Sequence, residues 1–388
     1  MSWQAYDLPF FESRHEAIVS ALQEWRCPVD PALESHDLKT DSRAIARSLA
    51  DAGLLHIVVP STNAPVDVRA LCLAREYLGY HHILSDTIFA MQGIGTAPIW
   101  MHGTPAQQEK YLDPVRRGDA IAAFALSEPD TGSDVAAMKT TARQEGDEYV
   151  LNGSKAWISN AGIADHYVVV ARTGDAPGSR GLSAFIVDAD TEGVQAGDPI
   201  NLIAPHPLAN LTFNECRIPA ANLIGERGNG FKVAMATFDI FRASVGAAGV
   251  GVARRAMDAC LERVSGRQIF GRKMSEIEGV QTKLADMATD IETAMLTVYR
   301  AAWRKDEREG RGSREASMAK LVGSEAAFRV VDAAVQLFGG RGVEQGCIIE
   351  QLYREVRPMR IYEGASEVQK LIIARDVIAR YREASQKD

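Results

Sequence analysis

The chain has 388 residues, 46% hydrophobic and 24% charged, an ordinary folded composition with length for two or three domains of about 150 residues each. Its net charge of −8 excludes the broad basic surface that general nucleic-acid or anionic-membrane binding needs, though not a local basic pocket. The five cysteines, Cys27, Cys72, Cys216, Cys260 and Cys347, are scattered and form no C-x-x-C pair, so neither a disulfide framework nor a zinc knuckle is expected, and a reducing cytoplasm fits.

The start, "MSWQAYDLPFFESRHEA", has neither a basic n-region nor an apolar h-region, so no signal or transit peptide is expected. No apolar run reaches the ~18 residues of a membrane span. From Ser42 to Leu55, "SRAIARSLADAGLL" spaces apolar residues at helical intervals, and "PAQQEKYLDPVRRGD" reads as a helix entered through Pro105. Residues 1–120 are therefore expected to form a helical domain. Over 121–225 the pattern turns to short β-rich runs: "EYVLNGSKAWIS" reads as strand, Asn152-Gly153 turn, strand, followed by "HYVVVAR", "LSAFIVDAD" and "LANLTFNECRIP". Helical period returns after "GERGNGF", with Val280, Leu284, Met287, Ile291 and Val298 on one stripe, so 226–388 are expected to form a four-helix bundle. The fold class is α+β, mainly α, with no strand–helix alternation of a doubly wound sheet.

No dinucleotide, P-loop, zinc-protease or serine-hydrolase motif is present. The glycines of "FGGRGVEQG" follow a helical run, not a strand, and read as helix termination at Gly339. The eight histidines show no metal-ligand spacing, so no metal is expected. In "RIYEGASEVQKLII", Glu363 precedes a capping-box pattern, Ser366 with Gln369, and an apolar face of Val368, Leu371 and Ile372. Read alone, Glu363 is either a solvated charge favoured by a helix N-terminus or a base on a rigid approach.

Longer segments favour the base. "FALSEPDTGSDVAAMKTTA" from Phe124 and "NGSKAWISNAG" from Asn152 resemble the flavin-contacting segments of the acyl-CoA dehydrogenase family. "GRQIFGRKMSEIEGVQTKLADMA" from Gly266, "VQLFGGRG" from Val335 and "IYEGASEVQKLIIAR" from Ile361 resemble further segments of that family, in its order and spacing. The resemblance covers about Trp100 to the C-terminus firmly and the first hundred residues weakly. After "LLHIVVP" the chain has "STNAPVD" where a glycine pair is usual. The implied fold is a helical domain, a small β-barrel-like domain and a four-helix bundle.

The resemblance implies non-covalent FAD and an acyl-CoA thioester, oxidised to the 2,3-enoyl-CoA by loss of an α proton to Glu363 and of a β hydride to flavin N5. It implies flavin contacts from Phe124, Leu126, Ser127, Ser133, Trp157 and Ser159, with Ser133 also near the CoA phosphates. Trp157 has a plain alternative as a half-buried strand aromatic. Arg267 and Phe270, with Gln336, Gly339 and Gly340, match residues that reach a neighbouring subunit's FAD, which implies a homo-oligomer, tetramer or dimer; for Arg267 the alternative is a surface salt bridge. Asp239 and Arg242 match residues that bind the CoA arm, against the alternative of an intrahelical ion pair. Tyr362 and Gly364 flank the substrate, Gly364 by removing a Cβ, and the Glu363 N–H would share the thioester oxygen. At the base position used by some relatives this chain has Phe241, which takes no proton. Ala365 to Glu367, "ASE", and Glu278 depart from the usual flavin-side residues, and a carboxylate cannot replace an amide donor. The implied electron acceptor is an electron-transferring flavoprotein. Alternatives are an acyl-CoA oxidase or flavin monooxygenase on the same scaffold, or a non-catalytic acyl-CoA-binding protein.

Overall fold

The computed structural model describes residues 8–29, 37–61, 66–174, 176–308 and 310–386. The first seven residues of the chain and Thr62 to Pro65 of "STNAPVD" lie outside the described residues. The helices α1 (Ser13–Glu24), α2 (Leu38–Asp51), α3 (Val68–His81), α4 (Ile83–His102) and α5 (Pro105–Arg116) precede the strands β1 (Ala122–Ala125), β2 (Thr141–Glu145), β3 (Glu148–Ser159), β4 (His166–Arg172), β5 (Leu182–Asp188), β6 (Val194–Ala196), β7 (Leu208–Pro219) and β8 (Leu223–Ile224). After them come α6 (Gly230–Gly266), the short strands β9 (Gln268–Ile269) and β10 (Arg272–Lys273), and the helices α7 (Glu278–Glu307), α8 (Ser313–Phe338), α9 (Ile348–Val356) and α10 (Ser366–Ser385). The mainly helical α+β class with a central sheet is as the sequence indicates. The chain forms two compact units, 1–24 with 67–86 and 239–388, and 25–66 with 87–238.

In the unit that carries the sheet, the strand order is β6-β7-β3-β2-β4-β5-β8, with β1 against β4. The sheet is mixed: β1 runs parallel to β4, whereas β3 and β7 pair antiparallel along their length. Asn152-Gly153 is not a hairpin turn. β3 runs through it with a register shift against β7, and Asn152 accepts from the Glu215 N–H at 2.9 Å while donating to the Glu215 carboxylate at 2.7 Å. Gly153 has φ +140°, so the freedom that suggested a turn serves a β-bulge instead. The hairpin lies one strand earlier, where β2 pairs with β3 around Gly146 at φ +59°. The helix expected to Leu55 stops at Asp51, because Gly53 turns left-handed at φ +71° and Leu54–Ile57 continue as a 3₁₀ turn. α5 begins as expected, with Pro105 in its first turn and a reciprocal Thr104–Gln107 capping box.

In the other unit, every residue of α6 from Asp239 to Ala253 is buried, and its glycines there meet neighbouring backbones. A Cβ on Gly246 would lie 2.4 Å from the Ala319 carbonyl oxygen of α8, and one on Gly251 would lie 2.1 Å from the Glu76 carbonyl oxygen of α3. α6 is long and apolar enough to cross a bilayer, although the sequence suggested no such run, yet 83% of its most apolar stretch is buried in the fold. On α7, Val280, Met287, Ile291 and Val298 are buried, while Leu284 is half-buried. The Asp306 carboxylate at the end of α7 accepts from the Val68 and Arg69 N–H groups at 2.8 and 3.1 Å, capping α3. α8 ends at Gly339, φ +62°, as its position predicts.

Gly251→Ala is expected to destabilise the fold by about 1–3 kcal/mol, because the new methyl would meet a helix backbone. Gly279→Ala, with nothing within 4 Å of the added Cβ, is expected to stabilise by up to about 1 kcal/mol. Urea titration of both variants checks the contrast.

Candidate functional site

Glu363 lies in a turn between the 3₁₀ segment Arg357–Arg360 and α10. Its φ is +53° and that of Gly364 is +90°, so two successive residues occupy left-handed backbone, which is costly for a glutamate. Buried donors hold the turn: Gln369 Nε2 reaches the carbonyls of Glu363 and Gly364 at 3.2 and 2.8 Å, and Lys320 Nζ reaches that of Gly364 at 2.9 Å. A Cβ on Gly364 would lie 2.6 Å from Gln369 Nε2, so this glycine is required by the Gln369 clamp as well as by its φ. The expected capping box does not form. Ala365 is the N-cap, the Ser366 hydroxyl donates to Glu325 at 2.6 Å, and Gln369 is spent on the turn. Nor does α10 bury the expected face: Leu371 is exposed, and Val368 and Ile372 are half-buried.

The Glu363 side chain is 12% exposed, and its Oε2 is buried with no hydrogen-bond partner among the described residues. Burial pushes this carboxyl up to about 7; Arg75, Lys320 and Arg242 pull it down and Asp86 raises it. Arg75 Nη1 lies 3.9 Å from Glu363 Oε1. Burial also lowers Lys320 to about 8 and raises the Tyr362 phenol. Phe241 is fully buried on α6. The intrahelical alternative for Asp239 and Arg242 is present, with Arg242 Nη1 donating to Asp239 Oδ1 at 3.3 Å, and Arg311 Nε adds a second bond to Asp239 at 2.8 Å.

In the same unit, Arg263 Nη2 donates to the Phe338 carbonyl at 2.7 Å, which joins the ends of α6 and α8. Arg267 and Phe270 therefore share one end of the unit with Gln336, Gly339 and Gly340, all of them exposed. Phe270 is 93% exposed with φ +50°, and Arg267 pairs with no carboxylate among the described residues. Glu278 and Glu367 are exposed, and Ala365 is half-buried.

The sheet unit carries the remaining residues. Phe124 and Leu126 are buried, Ser127 and Ser159 half-buried and Ser133 exposed. Trp157 is not a half-buried strand aromatic: it is 57% exposed with φ +53°, and its N–H is held by Asn210 Oδ1 at 3.1 Å. The Ala156 N–H donates to the Ser127 carbonyl at 2.9 Å, bringing Ser127 beside Trp157. Glu128 pins this loop from below, accepting from the Lys139 and Thr140 N–H groups at 2.6 and 2.9 Å and from Lys155 Nζ at 3.0 Å. Burial takes Lys155 down to about 8. The Ser159 hydroxyl lies 2.7 Å from His206 Nε2, whose imidazole burial lowers to about 4. Glu128, Lys155, His206, Arg75 and Lys320 were missed from sequence; only the apolar setting of the two lysines hinted at burial.

Within the sheet unit, the exposed Trp157 on left-handed backbone and the buried Thr131 hydroxyl of the Ser127 loop, without a partner among the described residues, fit a planar, hydrogen-bonding cofactor. A depression of about 740 Å³ on the sheet, lined among others by Arg143, Asn152, Arg172 and Arg227, includes none of the candidate catalytic or flavin- and CoA-binding residues.

Comparison with known proteins agrees over most of the chain. Residues 14–119, 123–216 and 228–378 match the N-terminal, middle and C-terminal domains of acyl-CoA dehydrogenase. The chain is 38% identical over 361 residues to the mitochondrial short-chain specific acyl-CoA dehydrogenase of Rattus norvegicus, covering 92% of this chain and 87% of the relative. The structure of butyryl-CoA dehydrogenase from Megasphaera elsdenii superposes with a TM-score of 0.87 at 30% identity, over 97% of this chain and 100% of the other. The FAD complex of PigA superposes with a TM-score of 0.87 at 27% identity, over 97% and 100% of the two chains. The chain belongs to the acyl-CoA dehydrogenase family of FAD-dependent oxidoreductases.

Proposed function

We propose that the chain dehydrogenates an acyl-CoA thioester between its α and β carbons, with Glu363 as the base. The observation that carries this reading is the buried, unpartnered Oε2 of a carboxylate whose proton affinity lies near neutrality. A general base works best with its pKa near the operating pH. The α C–H bond breaks toward Oε2, the electron pair forms the new double bond, and the β hydrogen leaves as hydride. FAD, when bound, supplies the hydride acceptor. The Glu363 N–H is offered to the thioester oxygen, where negative charge develops as the proton departs. Tyr362 and Gly364 flank the reacting carbons, and Asp239 and Arg242 serve the CoA arm, for which Ser133 is a further contact. Phe124, Leu126, Ser127, Trp157 and Ser159 take the flavin ring, and Ala365 and Glu367 its adenosine side.

We further assign Arg267, Phe270, Gln336, Gly339 and Gly340 to a partner subunit's FAD in a homo-oligomer. Their exposure supports this, as does the apolar surface of α10, where Leu371, Val377, Ile378 and Tyr381 are 54%, 51%, 50% and 74% exposed. The proposed electron acceptor is an electron-transferring flavoprotein; substantial oxygen uptake during turnover would instead indicate an oxidase.

Glu363→Gln is expected to keep fold, yellow colour and acyl-CoA binding but to slow anaerobic flavin bleaching by about 10²–10⁴-fold. Bleaching at the parent rate would remove Glu363 as the base. In the parent, the bleaching rate is expected to rise with pH through about 7 as the carboxyl ionises.

A carboxyl whose folded pKa exceeds its unfolded value stabilises the native state below the unfolded pKa, and that contribution is lost as pH rises through the folded one. Glu363→Gln is therefore expected to be the more stable form above pH ~7, by about 1–3 kcal/mol, with the difference shrinking toward pH ~4. Thermal unfolding across this range checks the sign.

Arg267→Ala is expected to weaken FAD binding at least tenfold, since hydrogen bonds to a charged group contribute about 1.5–3 kcal/mol. Flavin release with light scattering checks it: a monomer that keeps full FAD occupancy contradicts the cross-subunit assignment.

A further inference from the structure

Glu363 faces charges on four helices: Arg75 on α3, Asp86 on α4, Arg242 with its partner Asp239 on α6, and Lys320 on α8, with the Tyr362 phenol alongside. Lys320 is engaged by the Gly364 carbonyl and Arg242 by Asp239. Arg75 is held differently. It is 2% exposed, and its Nε and Nη2 donate to the two Asp86 carboxylate oxygens at 2.8 Å each. Its Nη1 donates to the Ser244 hydroxyl at 3.1 Å and lies 3.9 Å from Glu363 Oε1. The bonds to Asp86 and Ser244, with a further contact to the Tyr362 phenol, hold the guanidinium without drawing on Glu363.

A buried ion pair is weak evidence for stability, because a well-packed apolar pair often does as well or better. Arg75 and Asp86 have a further consequence because of where they lie. We propose that Arg75 is a positioning residue for the base: anchored by Asp86 and Ser244, its guanidinium draws Oε1 of Glu363 toward itself and leaves Oε2 as the oxygen that takes the α proton. This rests on Glu363 being the base. At 3.9 Å the contact is electrostatic and not a hydrogen bond, so it orients the carboxylate without capping the reactive oxygen. The geometry explains why one oxygen is buried with no partner while the other faces a cation. Arg75 is also foremost among the charges that oppose the effect of burial on Glu363, with Asp86 acting in the opposite sense.

The test uses the full, FAD-loaded chain and two readouts. Infrared titration follows the carboxyl band that is present in the parent and absent in Glu363→Gln, and rapid anaerobic mixing gives the bleaching rate on the high-pH plateau, where Glu363 is ionised. Arg75→Met is expected to move the infrared midpoint up by about one pH unit or more and to lower the plateau rate by about tenfold or more through misorientation. Arg75→Lys, which keeps the charge and loses the fork, is expected to recover the midpoint more fully than the plateau rate.

If Arg75→Met leaves Asp86 unpaired and does not fold, Arg75→Met with Asp86→Leu removes the pair together. That variant is expected to show a smaller upward shift and the same loss of plateau rate. A folded double variant with the parent's midpoint and plateau rate, alongside an inert Glu363→Gln, would make the pair structural only and overturn the role of Arg75. Parent-rate bleaching by Glu363→Gln would instead overturn the base assignment, and this role with it.

Discussion

Backbone meets backbone along α6, and only glycine permits the approach. Gly246 lies against Ala319 and Gly323 of α8, and Gly251 lies against Glu76 of α3. Ordinary side chains would hold these helices at the usual 8–10 Å between axes or wider. The polar residues around Glu363 and Arg75 come from the same stretches: Arg75 precedes Glu76, Ser244 lies two residues before Gly246, and Lys320 follows Ala319. The glycine contacts therefore do more than fill the core. They place the guanidinium of α3, the hydroxyl of α6 and the ammonium of α8 around one turn.

That turn carries opposing costs. Left-handed backbone at a glutamate is unfavourable by about 1–2 kcal/mol, and burying its carboxylate is unfavourable again. Hydrogen bonds to the two turn carbonyls from Gln369 and Lys320 hold the backbone, and nearby cations limit how far the carboxyl's proton affinity rises. The balance leaves a group near neutrality with one oxygen free. A solvated glutamate at a helix entrance would have neither property. The surface-charge reading of this residue therefore fails on burial, even though α10 does begin where that reading placed it.

In the sheet unit, similar physics stays out of view in the sequence. Glu128 and Lys155 are charged residues in a β-rich stretch, 27 residues apart, and nothing in their spacing pairs them, yet they are 5% and 0% exposed and bind each other beneath the Ser127 loop. Asn152-Gly153 carries a turn dipeptide, but the partner for Asn152 is Glu215, far along the chain. His206 lies in a proline-flanked loop with no periodicity, and only folding brings its imidazole to Ser159. Each of these cases depends on a residue that sequence spacing cannot pair.

By itself the sequence determined the order of helices, sheet and helices, the apolar stripe of α7, the stop at Gly339 and, through whole segments resembling one family, the choice of Glu363 as the candidate base. Such features are written locally, in periodicity, in glycine's access to positive φ and in runs of residues that recur together. Only the tertiary structure decided which oxygen of Glu363 is free, that Ser366 and Gln369 serve Glu325 and the turn instead of a capping box, and that Arg75, held by Asp86 and Ser244, lies beside Glu363. Proton affinity and side-chain pairing depend on burial and on charges a few ångströms away, and those neighbours come from helices separated by tens to hundreds of residues.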